Sequence, residues 1–337
     1  MASGQLHEVD VALELLGQHH KDHARRLLRD HGLAISGSRE ALLDRVRDAI
    51  RRGVIGFDQL VALLDEVEEH GHHHVFLYTL TPPQRTALAD IDHVKSLATK
   101  HGLATVLNAR TRVVDMPSEP VCTSVRHDSH RLRMKWVERR VWEEALPGRD
   151  RVEGAVRWRA LQRHEARAVN TLRVDLAPGE VQLRVSDAGK QSRTDYANKL
   201  TEYAAATAWL LDWDALQRIP IEHAIPPIKL AEEEVRVRGN TYFTVQGTKA
   251  SFTSDAADSD VRSDRVYQAG DVAAQRDGQD HRLLNVYWLP REGTPLTREV
   301  HTYLYADGLG NEVRFSADCT EEEVSYVLSR IREFARA

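Results

Sequence analysis

The chain has 337 residues, of which 42% are hydrophobic, 29% charged and 6% aromatic, and its formal net charge is −5. That length provides for two or three modules, each able to bury a core, and the composition excludes a disordered or fibrous chain. The negative balance excludes a polycation that would hold nucleic acid by bulk charge, so any such binding has to be local.

No apolar run approaches the roughly 20 residues that cross a bilayer, and the N-terminal "MASGQLHEVD" has neither a basic leader nor an apolar signal core. The two cysteines, Cys122 and Cys319, make neither a zinc cluster nor a disulfide framework. The expectation is a cytoplasmic protein with no membrane partner. Arginine outnumbers lysine 38 to 8, as GC-rich coding and a bacterial source would produce, and for a bacterial protein the nucleoid is the expected address.

From Val9 to about Gly102 apolar residues recur at helical spacing, as in Leu13 and Leu16, then Ala24, Leu27 and Leu28, then Leu42, Leu43, Val46 and Ile50. "FDQLVALLDEVEEHG" predicts a further helix over 57–71, "HHHVFLYTL" a short edge strand, and "PPQRTALADIDHVKSLATKHG" one helix opened by Pro83 and closed by Gly102.

The period then changes to two. "RLRMKWV" sets Leu132, Met134 and Trp136 on a core face and Arg131, Arg133 and Lys135 on a solvent face, and "TLRVDLAPGEVQLRV" is a hairpin turning at Pro178-Gly179. A helix is expected over 195–213, a proline-rich connection at "IPIEHAIPPIKL", strands at "NTYFTVQG" and "LLNVYWL", and a hairpin at Asp307-Gly308. The polar stretch 251–281 reads as a long mobile loop. Thr320 and Glu323, in capping-box register, open a last helix that buries Val324, Val327, Leu328 and Ile331.

The fold class expected is α+β: an N-terminal all-helical module, then two mostly antiparallel sheet-plus-helix lobes. The divisions expected are 1–52 for a small helical binding module, 53–117 for its helical continuation, and 118–225 and 226–337 for the lobes.

The stretch "LLRDHGLAISGSREALLDRV" carries the functional reading. Between Lys21 and Arg52 there are nine basic and five acidic residues, a balance of +4 that leaves −9 for the rest of the chain. Gly32 suits the left-handed position past a helix end, Leu33 folds back as its apolar partner, Gly37 permits close backbone approach, and Ser38 caps the next helix. Asp22, Arg26 and Asp30 recur every four residues and can neutralise one another, whereas Lys21, Arg25 and Arg29 form a stripe with no acidic member. Arg39 lies in the first turn of the second helix, a poor place for a cation unless an anion docks there.

This arrangement, from about His20 to Ile50, resembles the SAP domain. The carriers are Leu27 and Leu28, Gly32-Leu33, Ser36-Gly37, Arg39, Leu42, Arg45 and Val46. The resemblance implies a bihelical module that binds DNA, and in some members RNA, through phosphates with little base readout. Carried over, it makes Gly37, Ser38, Arg39 and Arg45 contact candidates beside Lys21, Arg25 and Arg29 of the stripe. In its order of parts, a small helical module, then "LVALLDEVEEHGHHHVFLY", "SVRHDSHRLRMKWVE" and mixed lobes, the chain also resembles the kinetochore CENP-N family, which engages DNA and a related partner protein.

Other constellations carry less. His70, His72, His73 and His74 cluster, but zinc needs converging ligands with fixed supporting partners, and a helix end leading into a strand explains them. Asp175 and Glu180 face one another across a hairpin in the manner of a nuclease acid pair, yet Gln182 stands where such a site has lysine. The six tryptophans fall on apolar faces and read as core.

The expected function is therefore non-enzymatic DNA binding without a cofactor, with the C-terminal lobes mediating self-association or partner binding. The alternatives are a protein-interaction adaptor with a purely structural hairpin and a magnesium-dependent nuclease.

Overall fold

A computed structural model describes residues 3–146, 148–189, 192–256, 258–308 and 310–336. Helices α1 (Ser3–Gln18), α2 (Lys21–Asp30), α3 (Arg39–Arg51) and α4 (Phe57–Glu69) precede strand β1 (His73–Thr79) and helices α5 (Pro82–Ala89) and α6 (Ile91–Lys100). Strands β2 (Val121–His127), β3 (Arg131–Ala145), β4 (Arg151–Glu153), β5 (Val156–Trp158), β6 (Leu161–Asp175) and β7 (Glu180–Ser186) follow, then α7 (Arg193–Ala206). After these come β8 (Gln217–Arg218), α8 (Ile225–Leu230), β9 (Val235–Thr244), β10 (Lys249–Thr253) and α9 (Arg265–Asp277). Strands β11 (Gln279–Trp288), β12 (Val300–Tyr305) and β13 (Glu312–Phe315) lead to α10 (Glu321–Arg336).

The protein is α+β, with N-terminal helices followed by antiparallel sheet. Among the described residues no helix is long and apolar enough to cross a membrane.

Two compact units are each assembled from separate stretches of chain. The first comprises Met1–Glu69, Ile91–Leu172 and Val185–Leu210; the second comprises His70–Asp90, Arg173–Arg184 and Leu211–Ala337.

In the first unit, α1 to α4 share one core. Leu13 and Leu16 of α1, Leu27 and Leu28 of α2, Leu42 and Val46 of α3 and Leu60 and Leu64 of α4 are all buried in it. Helix α4 has a second buried face, which is acidic. Asp65, Glu68 and Glu69 meet Lys135 of β3, whose ammonium lies 2.5 Å from Asp65 and 2.9 Å from Glu68. Thr111 donates to Asp65 at 2.6 Å, Arg133 pairs with Glu69 at 2.8 Å, and Arg167 pairs with Glu68.

Burial opposes the charge on Lys135, but Glu68, Asp65 and Glu69 outweigh it and raise the pKa above the ordinary 10.5. Burial likewise pushes Asp65 up, and the Lys135 ammonium more than reverses this, leaving the carboxyl below 3.8. Lys135 was expected on a solvent face of its strand. It is 1% exposed, because α4 covers that side of β3 with carboxylates.

The second unit has the strand order β10-β9-β11-β12-β13-β1, with β1 also beside β7. Helix α10 buries Val324, Val327, Leu328 and Ile331 in one core with Leu77 of β1 and Val286 of β11. Its capping box forms as the sequence predicts: Thr320 N–H donates to Glu323 at 2.9 Å, and Glu323 N–H to the Thr320 hydroxyl at 3.2 Å.

Several local expectations are corrected. Strand β1 lies between β13 and β7 rather than at an edge, and all of its residues but Thr79 are buried. The helix expected across 83–102 is two helices, because Asp90 takes an extended backbone with ψ 107°. Among its described residues the stretch 251–281 holds β10 and α9 rather than a long loop: the Asp264 side chain accepts from the N–H groups of Val266 and Tyr267 and starts α9, and Val261 and Tyr267 are buried. "IPIEHAIPPIKL" buries Ile221, Ile225 and Ile228 and forms α8. The helix over 195–213 ends at Ala206. Of the tryptophans only Trp136 and Trp288 are core residues, and Trp158 is 55% exposed.

Candidate nucleic-acid interface

The link between α2 and α3 is built as its residue types require. Gly32 has φ +66°, its N–H bonds to the Arg29 carbonyl at 2.9 Å, and the Leu33 N–H reaches back to the Leu28 carbonyl at 2.9 Å. Leu33 and Ile35 then pack against the four-helix core. Ser38 caps α3, its hydroxyl accepting from the Ala41 N–H at 3.3 Å. Gly37, at φ +126°, brings its backbone so close to α3 that an added Cβ would lie 3.3 Å from the Ala41 Cβ.

The cations divide into two groups. Arg29 and Arg39 are exposed and Lys21 is half-buried, and none of the three makes an ion pair or side-chain hydrogen bond with a described residue. Arg25 pairs with Asp22 at 2.8 Å, while Arg26 reaches across to Glu66 of α4 at 2.7 Å. This revises the sorting by stripes: Asp22 neutralises Arg25 rather than Arg26, and the Arg25 hydrogen bond holds the Asp22 carboxyl below its usual range. Arg45 crosses the link, donating to the carbonyls of Ala34 at 2.6 Å and Ser36 at 3.1 Å. Its first task is to hold the loop in shape.

Arg25, Arg26 and Arg29 line an open depression of about 620 Å³ with Asp22, His23 and Ile35. Of these three arginines, Arg25 is held by Asp22 and Arg26 by Glu66, which leaves Arg29 as the one with no ion pair among the described residues. At the start of α3, where an external anion was expected beside Arg39, the chain supplies one of its own. The Glu40 carboxyl is held below its ordinary range by its own backbone N–H, the Ser38 hydroxyl and the Arg39 charge. Arg26 was read as a partner of Asp22 and Asp30 rather than of Glu66, and Glu40 was missed. Arg26 is set by a partner 40 residues away, which no local pattern reveals. Glu40 was legible as an acidic residue in a first helical turn.

The competing sites have occupied side chains. Asp175 pairs with Arg173 at 3.0 Å, and Glu180 pairs with Arg332 at 2.6 Å. Burial, opposed by Arg332, raises the Glu180 pKa. His70 lies 2.5 Å from Glu321 and His74 lies 2.5 Å from Glu312, so these imidazoles serve different carboxylates. Among the described residues no three His, Cys, Asp or Glu side chains are grouped to hold a metal ion. Burial pushes the thiols of Cys122 and Cys319 up to about 12, which leaves them protonated at neutral pH.

No family model matches the chain, and no curated protein is similar to it.

Proposed function

We propose that this protein binds DNA without acting on it chemically, holding the phosphate backbone with the α2–α3 hairpin. The observation that carries this reading is the open depression in which Arg29, with no ion pair among the described residues, stands beside the carboxylate-paired Arg25 and Arg26. Lys21 and Arg39 add charge with no ion pair among the described residues. Phosphate contacts of this kind fix position and carry no sequence information, so recognition is of the polyanion rather than of a base sequence. The role of Arg45 is to hold the loop that presents Ser38 and Arg39.

The test is a fluorescence-anisotropy titration of full-length protein on labelled duplex DNA across a salt series. Each phosphate contact contributes about 0.9 to the slope of log affinity against log salt. The R29E/R39E variant is expected to bind more weakly on every duplex sequence and to lower that slope by about two, with an unchanged thermal melt. An unaltered titration would remove the hairpin from the interface.

A further inference from the structure

The second half of β3 and the first half of β6 leave the core of the first unit together. β3 is buried from Met134 to Glu138 and alternates between exposed and half-buried from Val141 onward, while β6 is exposed at Leu161–Arg163 and buried from Ala168. This arm has a rigid root: the buried Arg140 guanidinium bonds to Glu138 at 3.0 Å and to Asn170 of β6 at 3.1 Å, and Asn170 donates to the Tyr203 hydroxyl at 2.8 Å.

The arm is tipped by the two-stranded ribbon β4–β5, in which Arg151 stands opposite Trp158, Val152 opposite Arg157 and Glu153 opposite Val156. Gly154, at φ +61°, makes the tight turn.

Two properties of the tip stand apart from an ordinary solvated hairpin. Its apolar side chains are uncovered, with Val152 68%, Val156 53% and Trp158 55% exposed. From Arg149 to Arg163 there are five arginines and two acidic residues, a balance of +3 in a chain of net charge −5. Arg151 and Arg157 have acidic neighbours, Glu153 at 3.1 Å and Asp150 at 3.0 Å. Arg149 and Arg159 are exposed and have no ion pair among the described residues. Each face of the ribbon thus sets an arginine across from an apolar residue. That pattern is unsuited to water and to a purely apolar partner, and it matches a surface where flat apolar edges lie between rows of anionic oxygens.

We infer that this arm is a second DNA contact, its ribbon entering the major groove of a duplex with the arginines on flanking phosphates and Trp158 and Val152 against base edges. A groove about 12 Å wide admits a two-stranded ribbon, and thymine methyl groups there accept apolar contact. The inference rests on the proposed DNA-binding reading but uses residues separate from the α2–α3 hairpin.

The experiment compares full-length wild type, R149E/R157E/R159E, W158A and R29E/R39E on one labelled duplex. The readouts are anisotropy over a salt series and protection of guanine N7, a major-groove atom, from dimethyl sulfate. The arm charge reversal is expected to weaken binding roughly tenfold or more and to lower the salt slope by two to three units. W158A is expected to erase the N7 protection with a smaller loss of affinity, and R29E/R39E to weaken binding while the N7 protection persists at saturation. Circular-dichroism melts of both arm variants should match wild type, since these side chains are exposed.

Wild-type affinity and footprint in the arm variants, with binding lost in R29E/R39E, overturn the arm and leave the hairpin standing. The reverse pattern supports the arm and overturns the hairpin, and a wild type that binds no duplex overturns both. If the arm variants change only the sedimentation coefficient, the ribbon is a protein contact and the inference fails.

Discussion

Lys135 illustrates how one misplaced charge is made tolerable. Its ammonium is enclosed by Asp65, Glu68 and Glu69, and these carboxylates are further held by Thr111, Arg133 and Arg167. Removing the cation leaves buried anions uncompensated, so Lys135→Met should destabilise the protein by roughly 3–5 kcal/mol in urea melts at neutral pH.

The pH dependence follows from the two shifts. The Asp65 pKa is lowered, so its contribution is present above 3.8 and is lost as the pH falls through the lower folded value. The Lys135 pKa is raised, so its contribution is complete below 10.5 and is lost as the pH rises through the higher folded value. Between those limits the wild-type network contributes a flat stability. In Lys135→Met the buried Asp65 loses the ammonium that holds its carboxyl down and burial then favours the protonated form, so the deficit should shrink as the pH is lowered from 7 to 5; a deficit constant with pH would show that this pair is not the cause.

Glu40 bears on binding in the opposite sense. Its carboxylate sits at the helix start among the groups that would meet a phosphate. Glu40→Gln should therefore tighten duplex binding about twofold to fivefold at low salt, where exposed charges interact most strongly. An unchanged or weaker affinity would place the phosphates elsewhere.

At the scale of the elements, the α2–α3 hairpin is one part of a larger core. Leu60, Val61, Leu63 and Leu64 of α4 are buried in the cluster that holds Leu28, Leu42 and Val46. Each such side chain contributes about 1.5–3 kcal/mol when fully buried, and a fragment ending at Arg52 forfeits all of these contacts. The isolated Met1–Arg52 piece is expected to show little helical circular dichroism, with a weak or absent thermal transition. A cooperative melt from that fragment would establish the hairpin as an independent module.

The same scale separates what was legible from what was not. The Gly32 cap, the Ser38 cap and the Thr320–Glu323 capping box are written within a few residues and form as read. Periodicity located α2, α3 and α10 for the same reason. The place of β1 was hidden because its partner β13 lies more than 230 residues on, as the His74–Glu312 contact illustrates. Helix α9 was hidden because its valines, Val266 and Val272, are exposed and mark no buried stripe, and because its start depends on the cap at Asp264. Of the candidate site, the cations Lys21, Arg29 and Arg39 were legible as unpaired charge. The pairing of Arg26 with Glu66 and the loop contacts of Arg45 depend on folded geometry.

For the whole molecule, charge is a matter of distribution rather than sum. A net −5 coexists with +4 between Lys21 and Arg52 and +3 between Arg149 and Arg163, so the remainder of the chain carries −12. Such a surface repels a polyanion except where the two basic segments face it, which restricts the orientations in which DNA can approach. On the proposed reading, two modest contacts on one protein would reinforce one another, since the second would form within an encounter already made by the first.

The threading of the chain has a consequence for its birth. Strand β1 is synthesised more than 230 residues before β13, Glu312–Phe315, the strand that flanks it at His74–Phe76. Until β7 and β13 are made, "HHVFLYT" is an apolar ribbon with vacant hydrogen-bonding edges, the condition in which nascent chains cross-pair and aggregate. The sheet around β1 therefore closes only once β13 has been made.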